Sequence, residues 1–275
     1  MRSADPTRTT GLRRKFMAEM NKRFLAVRSA VRNLVVVEDA FGLRTGLTAN
    51  TRFQFQTNPE KVESFQQWFQ AEIDAKALSV STTGEPWTAP YVDSAYKKGQ
   101  ARAFLDTKKA KLADDLDFFN GSRAQFLESS LAVAESTKKI ELLYKRAFDG
   151  LKGITREMDA QMSRVLADGL ANGLGPRQIA RELNKKVEGL TRKRALVLAR
   201  TEIVHAHAEG QLDGFEHLGV EELGVMAEWS TAGDDRVCPR CLAMEGQIFT
   251  IKEARGLIPL HPSCRCAWIP YQGKK

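Results

Sequence analysis

Residues 229–271 read WSTAGDDRVCPRCLAMEGQIFTIKEARGLIPLHPSCRCAWIPY and contain all four cysteines of the chain. The cysteines form a C-x-x-C pair and a C-x-C pair, with one histidine three residues before the second pair. A C-x-x-C turn brings two sulfurs together, and a C-x-C on an extended strand places two more on one face. The pattern predicts a tetrahedral Zn²⁺ site. Its candidate ligands are Cys238, Cys241, His261, Cys264 and Cys266.

Two alternatives to zinc stay open for this cluster. The four sulfurs could form one or two disulfides if the protein matures outside a reducing compartment, or they could remain free thiols. Five candidate ligands compete for four places, and the spacing does not decide which one is left out. A closed four-ligand site is structural, since a catalytic zinc keeps a position open for water. We therefore expect the metal to stabilise the fold.

Length and composition favour a soluble globular protein. The 275 residues are enough for one large or two ordinary domains. The longest apolar run near the start, Leu34–Val37, is far shorter than the roughly 20 residues of a membrane span and too short for a signal-peptide core. We expect synthesis in a reducing cytoplasm, no export through a signal peptide and no membrane partner.

The net charge of +8 is concentrated near the start of the chain, where the stretch from Arg8 to Arg32 carries eight basic residues and a single acid, Glu19. Apolar residues recur there at helical spacing, so the stretch predicts an amphipathic helix with a cationic face. Such a face could bind DNA, an anionic membrane surface or an acidic protein, or it could simply be solvated. The candidate DNA- or partner-binding residues are Arg13, Arg14, Lys15, Lys22, Arg23, Arg28 and Arg32.

Helical periodicity dominates the chain ahead of the cysteine stretch. The predicted elements are a loop or hairpin at Thr45–Asn58, a helix from Pro59 to about Leu78, an exposed connector at Ser79–Pro90, a helix at Tyr91–Thr107, and helical pattern from Phe118 to Leu190. Gly150–Gly153 is predicted to interrupt that pattern. At Asn172–Pro176 one helix is predicted to end and another to begin, because Gly favours a helix C-terminus and Pro a first turn.

Two further helices and three short strands complete the prediction. The helices are Pro176–Asn184 and Thr191 to about Leu218, and the strands are Val225–Trp229, Gln247–Thr250 and Cys266–Ile269. The predicted fold is mostly α, with a small C-terminal α+β end stapled by zinc.

Two segments carry a resemblance to a known family. They are ARTEIVHAH at Ala199–His207 and the cysteine stretch with its closing HPSCRC. Together they resemble the phage Mu F-like head morphogenesis family, whose members are minor head proteins of tailed phages and prophages. The resemblance covers roughly Leu151–Tyr271. We accordingly divide the chain into a basic amphipathic helix at 1–40, a variable helical body at 41–150 and a Mu F-like domain at 151–275.

The resemblance implies a non-enzymatic protein that enters the procapsid in few copies through contact with the portal protein. Double-stranded DNA and other capsid or scaffold proteins are further implied partners, and the implied location is the host cytoplasm during assembly and then the virion. The residues that match the family motif, besides the cluster, are Arg200, Thr201, Glu202 and Asp235. Arg200 and Glu202 lie about 200° apart on a helix, so we expect each to pair with a neighbour such as Asp235 or Arg236.

Other functions compete with this one. A zinc-ribbon-like DNA-binding protein shares the C-x-x-C but favours basic residues around the zinc loops, whereas this chain places them at the other end. A zinc hydrolase would need an open metal position and a base such as Glu202 or Asp234. A metal shared by His205 and His207 is disfavoured, because residues two apart on a helix point to opposite sides.

Overall fold

The computed structural model describes residues 5–43, 58–110, 121–219 and 225–272. The helices are α1 (Thr10–Arg32), α2 (Asn58–Lys76), α3 (Ala89–Lys109), α4 (Arg123–Ala132), α5 (Ala134–Ala171), α6 (Pro176–His217), α7 (Pro239–Leu242) and α8 (Ile251–Ala254). The strands are β1 (Val225–Ser230), β2 (Ile248–Phe249) and β3 (Ala267–Gln272), and a π-helical turn at Asn33–Val37 follows α1. The predicted fold class, mostly α with a small C-terminal α+β end, is confirmed. Across these residues, no helix is both long and apolar enough to cross a membrane.

The chain divides into two compact units. The first consists of Met1–Phe16, Thr88–Ala147 and Val197–Lys275, and the second of Met17–Trp87 and Phe148–Leu196. Helices α1, α5 and α6 each contribute residues to both units.

In the second unit, the apolar stripes predicted for α1 and α2 are buried. Met20, Phe24, Val27 and Val31 of α1 and Phe65, Phe69 and Ile73 of α2 are all at most 2 % exposed. Both stripes follow the three-and-four spacing that places side chains on one helical face. Arg23 stacks over the Trp87 ring at 4.6 Å, and the Trp87 indole N–H donates to the Ala77 carbonyl. Within the predicted connector, Val80–Glu85 and Pro90 are exposed, whereas Pro86–Ala89 are buried or half-buried.

Two predicted helix interruptions are wrong. Helix α5 runs unbroken through Gly150 and Gly153, and α6 joins the two helices predicted at Pro176–Asn184 and Thr191–Leu218. An isolated glycine costs a helix only about 1 kcal/mol, which burial of an apolar face readily offsets. The boundary at Asn172–Pro176 is confirmed, with Gly173 at φ +64° after α5 and Pro176 starting α6. The loop predicted at Thr45–Asn58 lies outside the described residues except for Asn58, the first residue of α2.

In the first unit, α3 packs against the C-terminal half of α6 through glycines. A Cβ on Gly99 would lie 2.1 Å from the His207 carbonyl oxygen, and one on Gly210 would lie 2.2 Å from the Tyr96 carbonyl oxygen. The two backbones therefore approach closely only because both positions lack a side chain.

The strands form one antiparallel sheet in the order β2-β1-β3. Trp229 and Trp268 are paired across β1 and β3, fully buried, and stacked edge-to-face at 5.3 Å. Gln211 of α6 fixes β3 to the helix, because its side-chain amide both donates to the Trp268 carbonyl and accepts from the Trp268 N–H. The three predicted strands are thus present, and the sheet holds the cysteine loops against α6.

A group of charged residues attaches the loop after α8 to the same helix. Arg255 forms ion pairs with Glu209 (3.1 Å), Asp213 (2.6 Å) and Glu216 (2.5 Å), and Tyr96 and Lys139 also donate to Asp213. The carboxylates lie at spacings of four and three on α6, so they share one face of it. The loop that leads to the second cysteine pair is therefore fixed to α6 before it reaches the cluster.

Candidate metal centre

The first cysteine pair is shaped by a short helix. Cys238 precedes α7, and its Sγ accepts the backbone N–H of Cys241 at 3.4 Å, as an N-capping side chain does. Pro239 occupies the first helical position, which suits its fixed φ. The local sequence C-P-R-C therefore turns both sulfurs toward one point. Because the backbone N–H of Cys241 donates to it, the pKa of the Cys238 thiol is lowered.

The five predicted ligands lie close together in two overlapping groups. His261 Nε2 lies 3.1 Å from the Sγ atoms of both Cys238 and Cys241, and the Sγ atoms of Cys241 and Cys264 are 3.8 Å apart. Two sulfurs bound to one tetrahedral zinc are separated by about 3.8 Å, given Zn–S bonds of about 2.3 Å. Two groups of ligand atoms close enough to hold a metal share Cys241: one adds Cys238 and His261, and the other adds Cys264 and Cys266. The cluster can therefore hold a metal ion.

The orientation of His261 suits metal binding. Its Nδ1 lies 2.8 Å from the Pro262 carbonyl oxygen, which can only accept a hydrogen bond. Nδ1 therefore carries the proton, and Nε2 presents its lone pair to the sulfurs. Fixing the tautomer through the other ring nitrogen is usual for metal-binding histidines.

None of the four cysteines is in a disulfide, and their proximity sets their acidities. A hydrogen bond from Cys266 lowers the pKa of Cys264, whereas burial and the neighbouring Cys264 raise the pKa of Cys241. The pKa of Cys266 is also raised, by its hydrogen bond to Cys264 and by burial. One thiolate forms readily here, and a bound cation would favour the others.

The RTE segment of α6 supports the loop that carries His261. Thr201 Oγ1 accepts the backbone N–H of Ser263 at 3.1 Å, which fixes the HPSC turn, where Ser263 has φ +65°. Glu202 pairs with Arg146 of α5 at 3.1 Å, not with Arg236 as expected from the sequence. Burial raises the pKa of Glu202, although Arg146 and His205 oppose the rise. Arg200 is partly buried, and its Nε has no hydrogen-bond partner among the described residues.

The acid that pairs with the second cysteine loop is Asp234, the neighbour of the predicted motif residue Asp235. Both Asp234 oxygens accept from Arg265, at 2.7 and 2.5 Å, and one also accepts from Arg236 at 2.9 Å. These hydrogen bonds, that from Arg265 first, hold the pKa of Asp234 well below its usual range. Asp235 is exposed. The bidentate pair joins the two cysteine loops, since Arg265 lies between the cysteines of the C-x-C.

His205 and His207 do not converge on a metal. Arg146 can only donate, so His205 Nε2 accepts from it at 3.2 Å and Nδ1 donates to the Ile258 carbonyl at 3.0 Å. His207 is 1 % exposed, and neither ring nitrogen has a partner in the described part of the chain. Burial lowers the pKa of His207 to about 3, so its ring is neutral at physiological pH.

Comparison with known proteins identifies the C-terminal part of the chain. Residues 160–269 match the family described as Phage Mu protein F like protein, an interval that contains the RTE segment and all five cluster residues. The matched residues are similar to that family, and we call them the Mu F-like domain. No curated protein and no solved structure matches the chain.

Two supports of the Mu F-like domain were not predicted. The Asp234–Arg265 and Arg146–Glu202 pairs join residues far apart in sequence, so no short-range pattern indicates them. The sequence signalled three of these residues by their place in the motifs, Asp234 in GDDR, Glu202 in RTE and Arg265 in CRC, but gave no signal for Arg146.

The basic residues of α1, which begins well before the Mu F-like domain, fall into two groups. Arg13 pairs with Asp5, Arg23 with Glu19 and Arg28 with Glu188, so these three are structural. The exposed ones are Arg14, Lys15, Lys22 and Arg32.

Proposed function

We propose that this protein is a minor head protein of a tailed phage or prophage, which enters the procapsid in few copies through contact with the portal protein. The observation that carries the proposal is the match of residues 160–269 to the Mu F-like family. A role in phage head morphogenesis is the general function of that family. The portal contact, the copy number and the DNA contact below are our extensions of it.

We assign the Cys/His cluster to one structural Zn²⁺. Thiolate sulfur and imidazole nitrogen are the donors that zinc prefers, and the 3.8 Å separation of Cys241 and Cys264 fits a tetrahedral ion. Five candidate donors compete for the four coordination positions of a tetrahedral zinc, so no position stays open for a catalytic water. The charged groups proposed from the sequence as a hydrolytic base, Glu202 and Asp234, are already engaged by arginines. The metal would therefore fix the cysteine loops without taking part in a reaction.

DNA contact is assigned to the exposed basic residues of α1. At about 100° per residue, Arg14, Lys15, Lys22 and Arg32 fall within an arc of about 100°. The buried residues Phe16, Met20, Phe24, Val27 and Val31 occupy the opposite side. Phosphate contacts by such a strip neutralise charge without reading bases, as suits a protein in contact with packaged DNA.

Co-expression with the portal protein of the same phage tests the main proposal. We expect the chain to co-purify with the portal oligomer, and mass spectrometry of purified virions to find it at far fewer copies than the major capsid protein. A matched control expresses the portal with a chain truncated before residue 160, which lacks the Mu F-like domain. Absence from procapsids and virions would contradict the proposal and favour a free nucleic-acid-binding protein.

A further inference from the structure

A polar pocket lies in the first unit, beside the end of β1 and the start of β3. It has a volume of about 290 Å³ and is formed by four segments: the residues before α1, the last turns of α3, the end of β1 and the start of β3. Its polar lining residues are Arg8, Arg102, Asp106, Lys109, Ser230 and Thr231. The lining thus carries three cations and one anion.

The residues before α1 are held in place by Asp5. One carboxylate oxygen of Asp5 accepts the backbone N–H of Thr10 at 2.9 Å and pairs with Arg13 at 2.8 Å, and the other accepts the Thr7 hydroxyl at 2.6 Å. Arg8 lies within this fixed segment at φ +52°, a conformation that only a supported backbone maintains. Its side chain is exposed and has no ion-pair partner among the described residues. The fold therefore brings an uncompensated guanidinium to the pocket.

Helix α3 supplies the second side of the pocket. Arg102, Asp106 and Lys109 are spaced by four and three residues, so they share one face of the helix. Asp106 accepts the Nε hydrogen of Arg102, at 2.5 Å, and the terminal nitrogens of that guanidinium form no hydrogen bond with Asp106 in the described part of the chain. Lys109 is exposed and forms no ion pair within the parts of the chain that the structure describes.

Hydroxyl groups line the floor. Ser230 ends β1 and Thr231 follows it, and they are 8 % and 2 % exposed. The Thr231 hydroxyl accepts the Gly233 N–H at 3.3 Å and keeps its own hydrogen as a donor. The Ser230 hydroxyl, which also lines the pocket, can donate its hydrogen to a ligand.

We propose that this pocket binds a phosphate group. Two guanidinium groups, an ammonium and two hydroxyls are donors suited to a tetrahedral oxyanion, because charge-assisted hydrogen bonds from arginine match its geometry. The volume accommodates the phosphate with part of an attached sugar. The phosphate could belong to a soluble compound or to a DNA backbone. This site is separate from the strip on α1 and does not depend on the proposed head function.

Calorimetric titration of the full chain with inorganic phosphate at low ionic strength tests the pocket. We expect saturable binding to one site, weakened at least tenfold by the double variant Arg8→Gln/Lys109→Gln. Both residues are exposed, so the variant keeps the fold, which circular dichroism verifies. Ser230→Ala, which preserves all charges, is expected to weaken binding several-fold.

The matched control is Lys108→Gln/Lys138→Gln, which removes the same charge from exposed positions outside the pocket. We expect it to bind phosphate within twofold of the unmodified chain. Competition by a 16-base-pair duplex identifies the DNA backbone as the source of the phosphate, and failure to compete identifies a soluble phosphate compound. Absence of saturable binding, or equal losses in the two double variants, overturns the proposal.

Discussion

At the scale of single residues, Thr201 shows how a helix controls the candidate metal centre. Its hydroxyl accepts the backbone N–H of Ser263 across 62 residues of sequence, between His261 and Cys264. The neighbouring Glu202 pairs with Arg146 of α5 instead. The hydroxyl is thus the part of the RTE segment that touches the loop carrying the ligands.

Replacing Thr201 with valine keeps the shape of the side chain but leaves the Ser263 N–H without its acceptor. We expect this to cost about 1–3 kcal/mol of stability and to weaken zinc binding by about tenfold, as loss of an outer-shell partner does. Competition with a chromogenic zinc chelator measures the change. Thr201→Ser retains the hydroxyl and should bind zinc normally, so an equal loss in both variants would refute the role of the hydrogen bond.

The buried His207 should make the stability of the protein depend on pH. Its folded pKa is about 3, chiefly because of burial, and nearby Lys98, Arg13 and Arg102 lower it while Asp5 raises it. The unfolded histidine titrates near 6.5, so below that pH the unfolded state binds the extra proton. The resulting loss of stability is about 1.4 kcal/mol per pH unit, starting as pH falls below 6.5.

Urea unfolding between pH 7 and pH 5 measures this slope. His207→Leu fills a similar volume without ring nitrogens, so we expect it to flatten the slope in this range while keeping stability at pH 7. His217→Gln serves as the control for a more exposed histidine, whose pKa burial also lowers. An unchanged slope in His207→Leu would show that other groups govern the acid sensitivity.

At the scale of single residues, the sequence predicts which side chains form the candidate metal centre. All five cluster residues were predictable because zinc sites use few residue types at fixed short spacings. The supporting contacts could not be predicted, because the sequence does not show which of Asp234 and Asp235 makes the contact. Only the fold shows that Arg265 reaches the first of them.

At the scale of elements, the α3–α6 contact depends on glycines. We expect Gly99→Ala or Gly210→Ala to force the two backbones apart, because the new Cβ would lie within 2.2 Å of a carbonyl oxygen. Overpacking of this kind costs about 1–3 kcal/mol or more. Gly153→Ala is the matched control, since a Cβ there meets nothing within 4 Å and should stabilise α5 by about 0.5–1 kcal/mol. Thermal unfolding of the three variants distinguishes steric conflict from a general effect of replacing a helical glycine.

The basic strip on α1 is testable without disturbing the core. Deleting the helix would also remove buried Phe16, Met20 and Phe24, so loss of DNA binding could not be separated from unfolding. Glutamine at Arg14, Lys15, Lys22 and Arg32 removes the exposed charges alone. We expect unmodified protein to bind duplex DNA without sequence preference, with log K falling by about 3.6 per decade of salt for four phosphate contacts.

Fluorescence anisotropy at several salt concentrations measures DNA binding by the unmodified protein and its variants. It also gives the slope of log K against the logarithm of the salt concentration. The fourfold glutamine variant should lose most binding and most of the salt dependence. The control replaces four exposed basic residues elsewhere, at Lys138, Lys152, Arg164 and Lys185. If both fourfold variants lose binding equally, the effect is one of net charge rather than of the strip.

The element boundaries show where sequence patterns reach their limit. The end of α5 and the start of α6 were predictable because Gly173 and Pro176 act through their own backbone preferences. The continuity of α6 through Gly189 was not, because a local penalty of about 1 kcal/mol is outweighed by packing that the sequence does not display.

At the scale of the whole molecule, the C-terminal end is built from short secondary-structure elements. Its strands have six, two and six residues, and α7 and α8 have four residues each. Such short elements gain little from secondary structure alone, so links to α6 and the ligand cluster have to fix them. Our central claim is therefore that metal binding stabilises the fold of the Mu F-like domain.

Elemental analysis of the purified chain, combined with limited proteolysis, tests that claim most directly. The account predicts about one equivalent of zinc, lost in Cys241→Ser, the variant of the cysteine shared by both ligand groups, with residues 225–272 becoming protease-sensitive. His217→Gln, a histidine outside the cluster, should retain both zinc and resistance. Unmodified protein that contains no metal, yet resists proteolysis across residues 225–272, would contradict the account.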